Sequence, residues 1–230
     1  MSSLGGPNIV TSGLVLHLDA GNPKSYPGTG TIWYDRAANL NAGVANNGTL
    51  INGPVFNSGN GGSVVFDGVD DYVSISQNIN PPNITLEFVY KTLVNSPYEY
   101  LISNSRDCCG TYNGYELYTF NGRPRFQIWN STNVGLSGTE TLTNQIYHVT
   151  ATYNGSQLKI YQNGILTGTA NSTLGIGNPP SFNLVIGAMG YGPAIYNLTG
   201  NIYTSKIYNR ALSSQEVLQN YNATKSRYGL

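Results

Sequence analysis

Few residues in this chain have the type and spacing to do chemistry. The densest group is Arg106-Asp107-Cys108-Cys109-Gly110-Thr111-Tyr112-Asn113-Gly114-Tyr115, which mixes charge, amide and aromatic groups in what reads as a loop. Sugar sites combine a ring that stacks on the apolar sugar face with fixed planar hydrogen-bonding groups. Tyr112, Asn113, Asp107 and Arg106 are candidates for those roles, and Trp129 is a candidate stacking platform. An ordinary polar loop or a subunit contact has the same composition, because Tyr offers a large rigid area with a polar tip. An aromatic on a strand, such as Trp129, also commonly belongs to a core.

Catalytic chemistry is harder to assemble. The two histidines, His17 and His148, each fall inside a predicted strand. His148 is expected to pack or hydrogen-bond at a sheet surface. There is no G-x-S-x-G elbow, no H-E-x-x-H motif, and no phosphate-binding or dinucleotide glycine fingerprint. Glycoside hydrolysis needs two carboxylates facing each other across the bond. No predicted strand carries an acid pair at i,i+2 or i,i+4, Glu87 and Glu116 stand alone, and Glu216 serves a helix cap. The reading is therefore of a protein that is not an enzyme. Asp67, Asp70 and Asp71 cluster in the turn Asp67-Gly68-Val69-Asp70-Asp71. Three acids in a turn bond their own backbone or hold calcium; no other cofactor is suggested. Cys108 and Cys109 are adjacent and too few for structural zinc, so they form either two free thiols or a vicinal disulfide.

Composition excludes further classes. The 230 residues carry 11 basic and 11 acidic side chains, a formal net charge of zero. Nothing in that balance would neutralise a phosphate backbone, so no nucleic-acid partner is expected. Charged residues are only 10% of the chain, whereas Asn numbers 29, Gly 28 and Tyr 18. No apolar run approaches the ~20 residues that span a bilayer, so no membrane partner is expected either. The first eight residues lack a basic segment followed by an apolar stretch, which implies synthesis and retention in a cytoplasm. Seven Asn-Xaa-Ser/Thr sequons then reflect the abundance of these residues rather than glycosylation.

The elements that must position such groups are strands. Leu14, Leu16 and Leu18 share one face, as do Ile84, Leu86, Phe88 and Tyr90, and Tyr147, Val149, Ala151 and Tyr153. This period of two marks half-buried strands. Asn154-Gly155 and Asn163-Gly164 predict a three-strand meander over 145–170 with type I′ turns, and Asn121-Gly122 joins Tyr115–Phe120 to Arg125–Asn130. One helix is signalled: Ser213 and Glu216 form a capping box, Leu212 and Val217 a staple, and the helix should end near Asn222–Thr224. Residues 1–12 read as an arm, either frayed or ordered against a neighbouring subunit. Residues 13–230 read as one domain: an all-β, antiparallel two-sheet sandwich with a short C-terminal helix.

Several segments together resemble laminin-G-like, concanavalin A-like jelly-roll domains. Gly62-Ser63-Val64-Val65-Phe66-Asp67-Gly68-Val69-Asp70-Asp71-Tyr72-Val73 resembles the family's FDG-x-DDYV element. Tyr147-His148-Val149, followed by Tyr153-Asn154-Gly155 and Leu158-Lys159-Ile160-Tyr161-Gln162-Asn163-Gly164, is similar to its meander. Gly200-Asn201-Ile202 and Tyr208-Asn209-Arg210-Ala211-Leu212-Ser213 are similar to its closing strand and helix cap. The resemblance implies a jelly-roll fold over essentially the whole chain. Two departures stand out: the family's Trp before His-Val is Tyr147, and an acidic position after Gly-x-Ile is Tyr203, which weakens an inherited calcium site.

Residues 18–28 and 220–229 are similar to a narrower group, virion-associated proteins of tailed bacteriophages, notably cyanophages. That similarity implies a non-enzymatic virion structural protein, foremost a capsid decoration or cement protein, at the capsid surface. Its expected partners are the major capsid protein or other virion proteins, and copies of itself, with a trimer the first guess. The alternative is a carbohydrate-binding adhesin or tail-fibre module that recognises host surface glycans.

Overall fold

The computed structural model describes residues 7–38, 45–108, 111–179, 183–190 and 196–230. Among them, seventeen strands form two antiparallel sheets, and one α-helix follows. The first sheet runs β15 (Ile165–Asn171), β14 (Gln157–Gln162), β13 (Tyr147–Tyr153), β7 (Ile84–Thr92), β17 (Thr199–Tyr208), β5 (Ser63–Asp67), β4 (Val55–Asn57). The free side of β17 is shared: Thr199–Ile202 pairs β5, and Thr204–Tyr208 pairs β1 (Leu14–Asp19). The second sheet runs β12 (Thr132–Ser137), β11 (Arg123–Asn130), β10 (Thr111–Phe120), β8 (Tyr98–Ser103), β16 (Leu184–Ile186), β6 (Tyr72–Ile75), β3 (Gly48–Ile51), β2 (Ile32–Trp33). A short β9 (Arg106–Cys108) continues beside β10 where β8 ends. This is the expected all-β, concanavalin A-like jelly-roll sandwich. No helix among the described residues is long and apolar enough to cross a membrane.

Alternation builds the core. Leu16 and Leu18, Ile84, Leu86 and Phe88, and Val149 and Ala151 meet Tyr115 and Leu117, and Phe126 and Ile128, from the facing sheet. At ~25 cal/mol per Å² of buried apolar area, these facing rows are what closes the sandwich. The turns follow the sequence in two cases. Asn121 and Gly122 (φ 48 and 71) and Asn163 and Gly164 (φ 49 and 77) both take the left-handed conformations that a type I′ turn needs. Asn154-Gly155 differs, since only Gly155 has positive φ. Asn154 Oδ1 instead accepts from the N–H groups of Ser156 and Gln157 at 3.0 and 2.8 Å, so a wider turn is held by its own side chain.

The outward face of the first sheet departs from the half-buried expectation. Thr85, Glu87 and Val89 on β7, and His148 and Thr150 on β13, are fully buried. The helix α1 (Ser214–Tyr228) covers them. Glu87 Oε1 accepts from Lys206 Nζ at 2.6 Å and Glu87 Oε2 from Asn220 Nδ2 of α1 at 2.7 Å. His148 Nε2 lies 3.3 Å from the same Glu87 Oε1, and its ring stands edge-on to Tyr221. His148 thus packs at the outer surface of the sheet, as expected, and the helix lies over it. Burial pushes the Glu87 pKa up, but the Lys206 charge and the neighbouring His148 outweigh it and hold the carboxyl below its ordinary range. Burial, reinforced by Lys206, lowers His17 to about 4.

The helix starts as expected, with the Ser213–Glu216 capping box, but runs on to Tyr228 and stops at Gly229, whose φ is 71. The extra turn is anchored. Arg227 forks onto Asp19 at 2.7 and 2.8 Å, and Tyr228 packs edge-on against Tyr203, the position where the family commonly has an acid. The described part of the 1–12 segment is fastened to its own domain. Val10 N–H donates to Asn220 Oδ1 at 2.8 Å, Tyr208 OH to the Val10 carbonyl at 3.0 Å, and Gln219 to the Asn8 carbonyl at 2.7 Å. Residues 1–6 lie outside the described residues.

Candidate functional site

The outward face of the second sheet stays open, and β8, β10 and β11 shape a cleft on it of about 510 Å³. Because Tyr115 and Leu117 point into the core, Tyr112, Glu116, Tyr118 and Phe120 point out. Across the Asn121-Gly122 hairpin, Glu116 stands opposite Gln127 and Tyr118 opposite Arg125, so Arg125, Gln127 and Trp129 line the same floor. Tyr98 and Tyr100 on β8, with Met189 and Tyr196, complete it. Eight residue steps separate Tyr112 from Phe120, about 27 Å at a strand rise of ~3.4 Å.

Two aromatic groups flank a polar centre. At one end the rings of Tyr112 and Trp129 are 4.7 Å apart and tilted by 32°. At the other, Tyr100 stacks on Tyr118 at 4.8 Å and 15°, and Tyr98 meets Tyr196 at 4.9 Å. Between them, Tyr118 OH donates to Gln127 Oε1 at 2.8 Å, and Trp129 Nε1 donates to Glu116 Oε2 at 3.2 Å. Glu116 Oε1 accepts from Ser105 Oγ. Glu116 is 2% exposed. Burial raises its pKa, against the Ser105 and Trp129 hydrogen bonds that oppose the rise. Gly114 is the register partner of Trp129; at φ 114, a Cβ there would sit 1.9 Å from the Asn104 carbonyl oxygen. The assembly can stack flat apolar ring faces and donate hydrogen bonds between the stacks.

The sequence-predicted residues divide. Tyr112 and Trp129 come together in the cleft, half-buried, so Trp129 is not a core residue. Asn113 does not join them: a Cβ on Gly177 would meet its Oδ1 at 2.3 Å, which places the amide on the opposite face. Arg106–Cys108 and Thr111–Asn113 are paired strands rather than loop, with Arg106 opposite Asn113 and Asp107 opposite Tyr112. The side chains of Arg106, Asp107 and Cys108, and all of Cys109, lie outside the described residues. Tyr98, Tyr100, Tyr118, Phe120, Arg125, Gln127 and Tyr196 were missed. The signal for those on β10 and β11 was the Asn121-Gly122 register, which sets alternate residues of both strands on one face.

Asp67, Asp70 and Asp71 do converge, with candidate ligand oxygens within 4.8 Å of one another. Asp67 Oδ1 accepts from Val69 N–H at 2.8 Å, and Asp71 Oδ2 from Asp67 N–H at 3.0 Å. Two of the three carboxylates therefore bond the backbone of their own turn, and burial raises the Asp71 pKa.

Below the cleft floor, Glu99 points away from Tyr98 and Tyr100. Its Oε1 accepts from the Thr199 N–H of the other sheet at 3.1 Å. Burial raises its pKa to about 7. A folded pKa above the unfolded one gives stability that is complete below about pH 4.5 and lost as pH rises through 7. Glu99→Gln keeps the acceptor and removes the titration. Above pH 7 this variant is expected to exceed the wild type in stability by on the order of 3 kcal/mol, and below pH 4.5 to match it. Urea melts across that range measure the difference, and parallel pH profiles would refute it.

The family model described as the concanavalin A-like lectin/glucanases superfamily matches residues 67–218. No curated protein sequence matches the chain. Three solved structures share its fold. The binding domain of Paraclostridial Mosquitocidal Protein 1 aligns at TM-score 0.69 and 16% identity, over 91% of this chain and 52% of that one. Domain 4 of AbnA, a GH43 extracellular arabinanase from Geobacillus stearothermophilus, in complex with arabinotriose, aligns at 0.68 and 14%, over 90% and 98%. The binding domain of Botulinum Neurotoxin DC in complex with SialylT aligns at 0.67 and 16%, over 92% and 52%. The chain spans about half the length of the two toxin binding domains. Fold and family match together place the chain in the laminin G-like branch of the concanavalin A-like lectin/glucanase superfamily, to which it belongs.

Proposed function

We propose that the protein is a non-enzymatic glycan-binding module that takes its ligand in the aromatic cleft of the second sheet. The observation that carries this is the Tyr112–Trp129 pair, half-exposed at one end of a lined cleft, with Glu116 fixing the indole. Exposed aromatic faces beside buried hydrogen-bonding groups are costly to leave in water unless something covers them. The AbnA domain and the neurotoxin binding domain, whose structures contain arabinotriose and SialylT, lend support as proteins of the same fold. The non-enzymatic reading rests on the carboxylates. Among the described lining residues, Glu116 is the one acid, and glycoside hydrolysis needs two. This reading does not call on calcium, since Asp67, Asp70 and Asp71 do not line the cleft. Screening the purified chain on a glycan array tests the proposal. Saturable binding of at least one glycan is expected, and a blank array overturns it.

The similarity of residues 18–28 and 220–229 to tailed-phage virion proteins supports a setting on a virion surface, after synthesis in the host cytoplasm. Within that setting the cleft favours the adhesin or fibre role over capsid decoration. Partners would then be virion proteins and further copies of the chain, as well as the glycan. The copy number in purified particles separates the cases. A few copies per particle are expected. Parity with the shell protein would restore decoration, and absence would remove the virion setting while leaving glycan binding intact.

A further inference from the structure

We infer that the cleft selects acidic glycans, and that Arg125 receives their carboxylate or sulfate group. The inference rests on the glycan-binding reading and names its ligand class. It comes from the balance of donors and acceptors across the cleft.

Arg125 is the cation of the described lining, half-buried beside the Tyr100–Tyr118 pair, opposite Tyr118 in the strand register. Arg123, Arg210 and Arg227 each hold a carboxylate: Glu140, Glu216 and Asp19. Arg125 takes part in none of the ion pairs among the described residues. Its fork is nonetheless placed. Nε lies 3.4 Å from Gln127 Oε1 and Nη1 3.4 Å from Ser137 Oγ. Nη2 lies over Gly135, where an added Cβ would come within 3.2 Å of it. A further hydrogen bond joins Arg125 to the Tyr118 side chain; all of these partners are neutral, so they steer the guanidinium without balancing its charge, and a carboxylate or sulfate suits its planar donors best.

The acceptors beside it are already engaged, since Gln127, Ser137 and Tyr118 each bond the guanidinium itself. The Gln127 oxygen already takes the Tyr118 hydroxyl, which leaves the amide nitrogen as the donor it can offer. Glu116 spends one oxygen on Ser105 and the other on Trp129, and is 2% exposed beneath the floor. Burial also favours its neutral form, which reduces the repulsion an anion would meet. A neutral sugar, whose hydroxyls need acceptors as well as donors, would leave this centre underused. An anionic sugar fills it while a neighbouring sugar of the same glycan stacks on Tyr112 and Trp129, four residue steps along β11, about 14 Å at ~3.4 Å per residue.

Calorimetry of the full chain with matched probes tests the inference. The pairs are 3′-sialyllactose against lactose, 3′-sulfolactose against lactose, and tetragalacturonate against its methyl ester. At least one acidic member is expected to bind tenfold or more tightly than its neutral partner. Arg125→Gln should shrink that preference to within about twofold, with an unchanged melting temperature. The sialyl and galacturonate arms report carboxylate, and the sulfolactose arm reports sulfate. Neutral partners that bind equally well, or an Arg125→Gln variant that keeps the preference, would overturn the inference and leave glycan binding standing. No heat from any probe, together with a blank array, would overturn both.

Discussion

Replacing Lys206 with methionine is expected to lower the unfolding free energy by about 3–5 kcal/mol, a large share of the ~5–15 kcal/mol that holds a typical domain together. Lys206 is 1% exposed and Glu87 is 0% exposed. Their atoms meet at 2.6 Å, at a register position where Glu87, Lys206 and His17 lie side by side on β7, β17 and β1. A methionine fills the same volume but leaves Glu87 with Asn220 and the neighbouring His148 alone, so a buried carboxylate loses the lysine charge that faces it at 2.6 Å. The double variant Lys206→Met/Glu87→Leu removes both charges and should recover most of the loss. Guanidinium melts of the wild type and both variants measure this. A single variant within about 1 kcal/mol of wild type would show that this buried pair contributes no more than a surface one. The same groups set the acid side of the stability profile. Glu87 is held below its ordinary range, and His17 near 4. Both contributions are present near neutrality: the His17 part is lost as pH falls from about 6.5 to 4, and the Glu87 part below about 4.5.

The second large effect concerns binding. Trp129→Ala should weaken the glycan found on the array by about 30-fold or more, the scale of a hot-spot residue. Its cost to the fold should stay near ~1 kcal/mol, mainly from the hydrogen bond lost at Glu116. Trp129→Phe keeps a stacking ring but no N–H, and so separates the two roles. Intermediate binding is expected if stacking dominates, and the full loss if positioning by Glu116 does. Tyr112→Ala should follow Trp129→Ala, since its ring is the neighbour at 4.7 Å. Titration of each variant with the array hit checks the order. Wild-type affinity in Trp129→Ala would place the site elsewhere.

Much of the architecture was legible because local rules acted alone. The alternation of Ile84, Leu86 and Phe88, the left-handed pairs at Asn121-Gly122 and Asn163-Gly164, and the Ser213–Glu216 box depend on neighbours a few residues away. What was missed depends on distant ones. β7 could not be seen as buried on both faces, since its outer side is covered by a helix more than a hundred residues later, through Asn220. The helix was ended too early because Arg227 finds Asp19 and Tyr228 finds Tyr203 only once the sheet has formed. At the site, residue type points to Tyr112 and Trp129 and to Asn113 alike, but strand alternation, which a loop would not impose, turns Asn113 to the face opposite Tyr112. Tyr98 and Tyr196 carry no local signal that would bring them beside Tyr118.

The long β17 gathers β1, β5 and β7, and its outer side is roofed by α1 and residues 8–12. Both ends of the described chain are thereby pinned to the face away from the cleft. For anyone handling the protein this fixes an orientation. A peptide tag or fluorophore joined after Leu230 leaves from the back of the molecule. A sensor surface coated through that tag would hold every copy with its cleft toward the flowing sample.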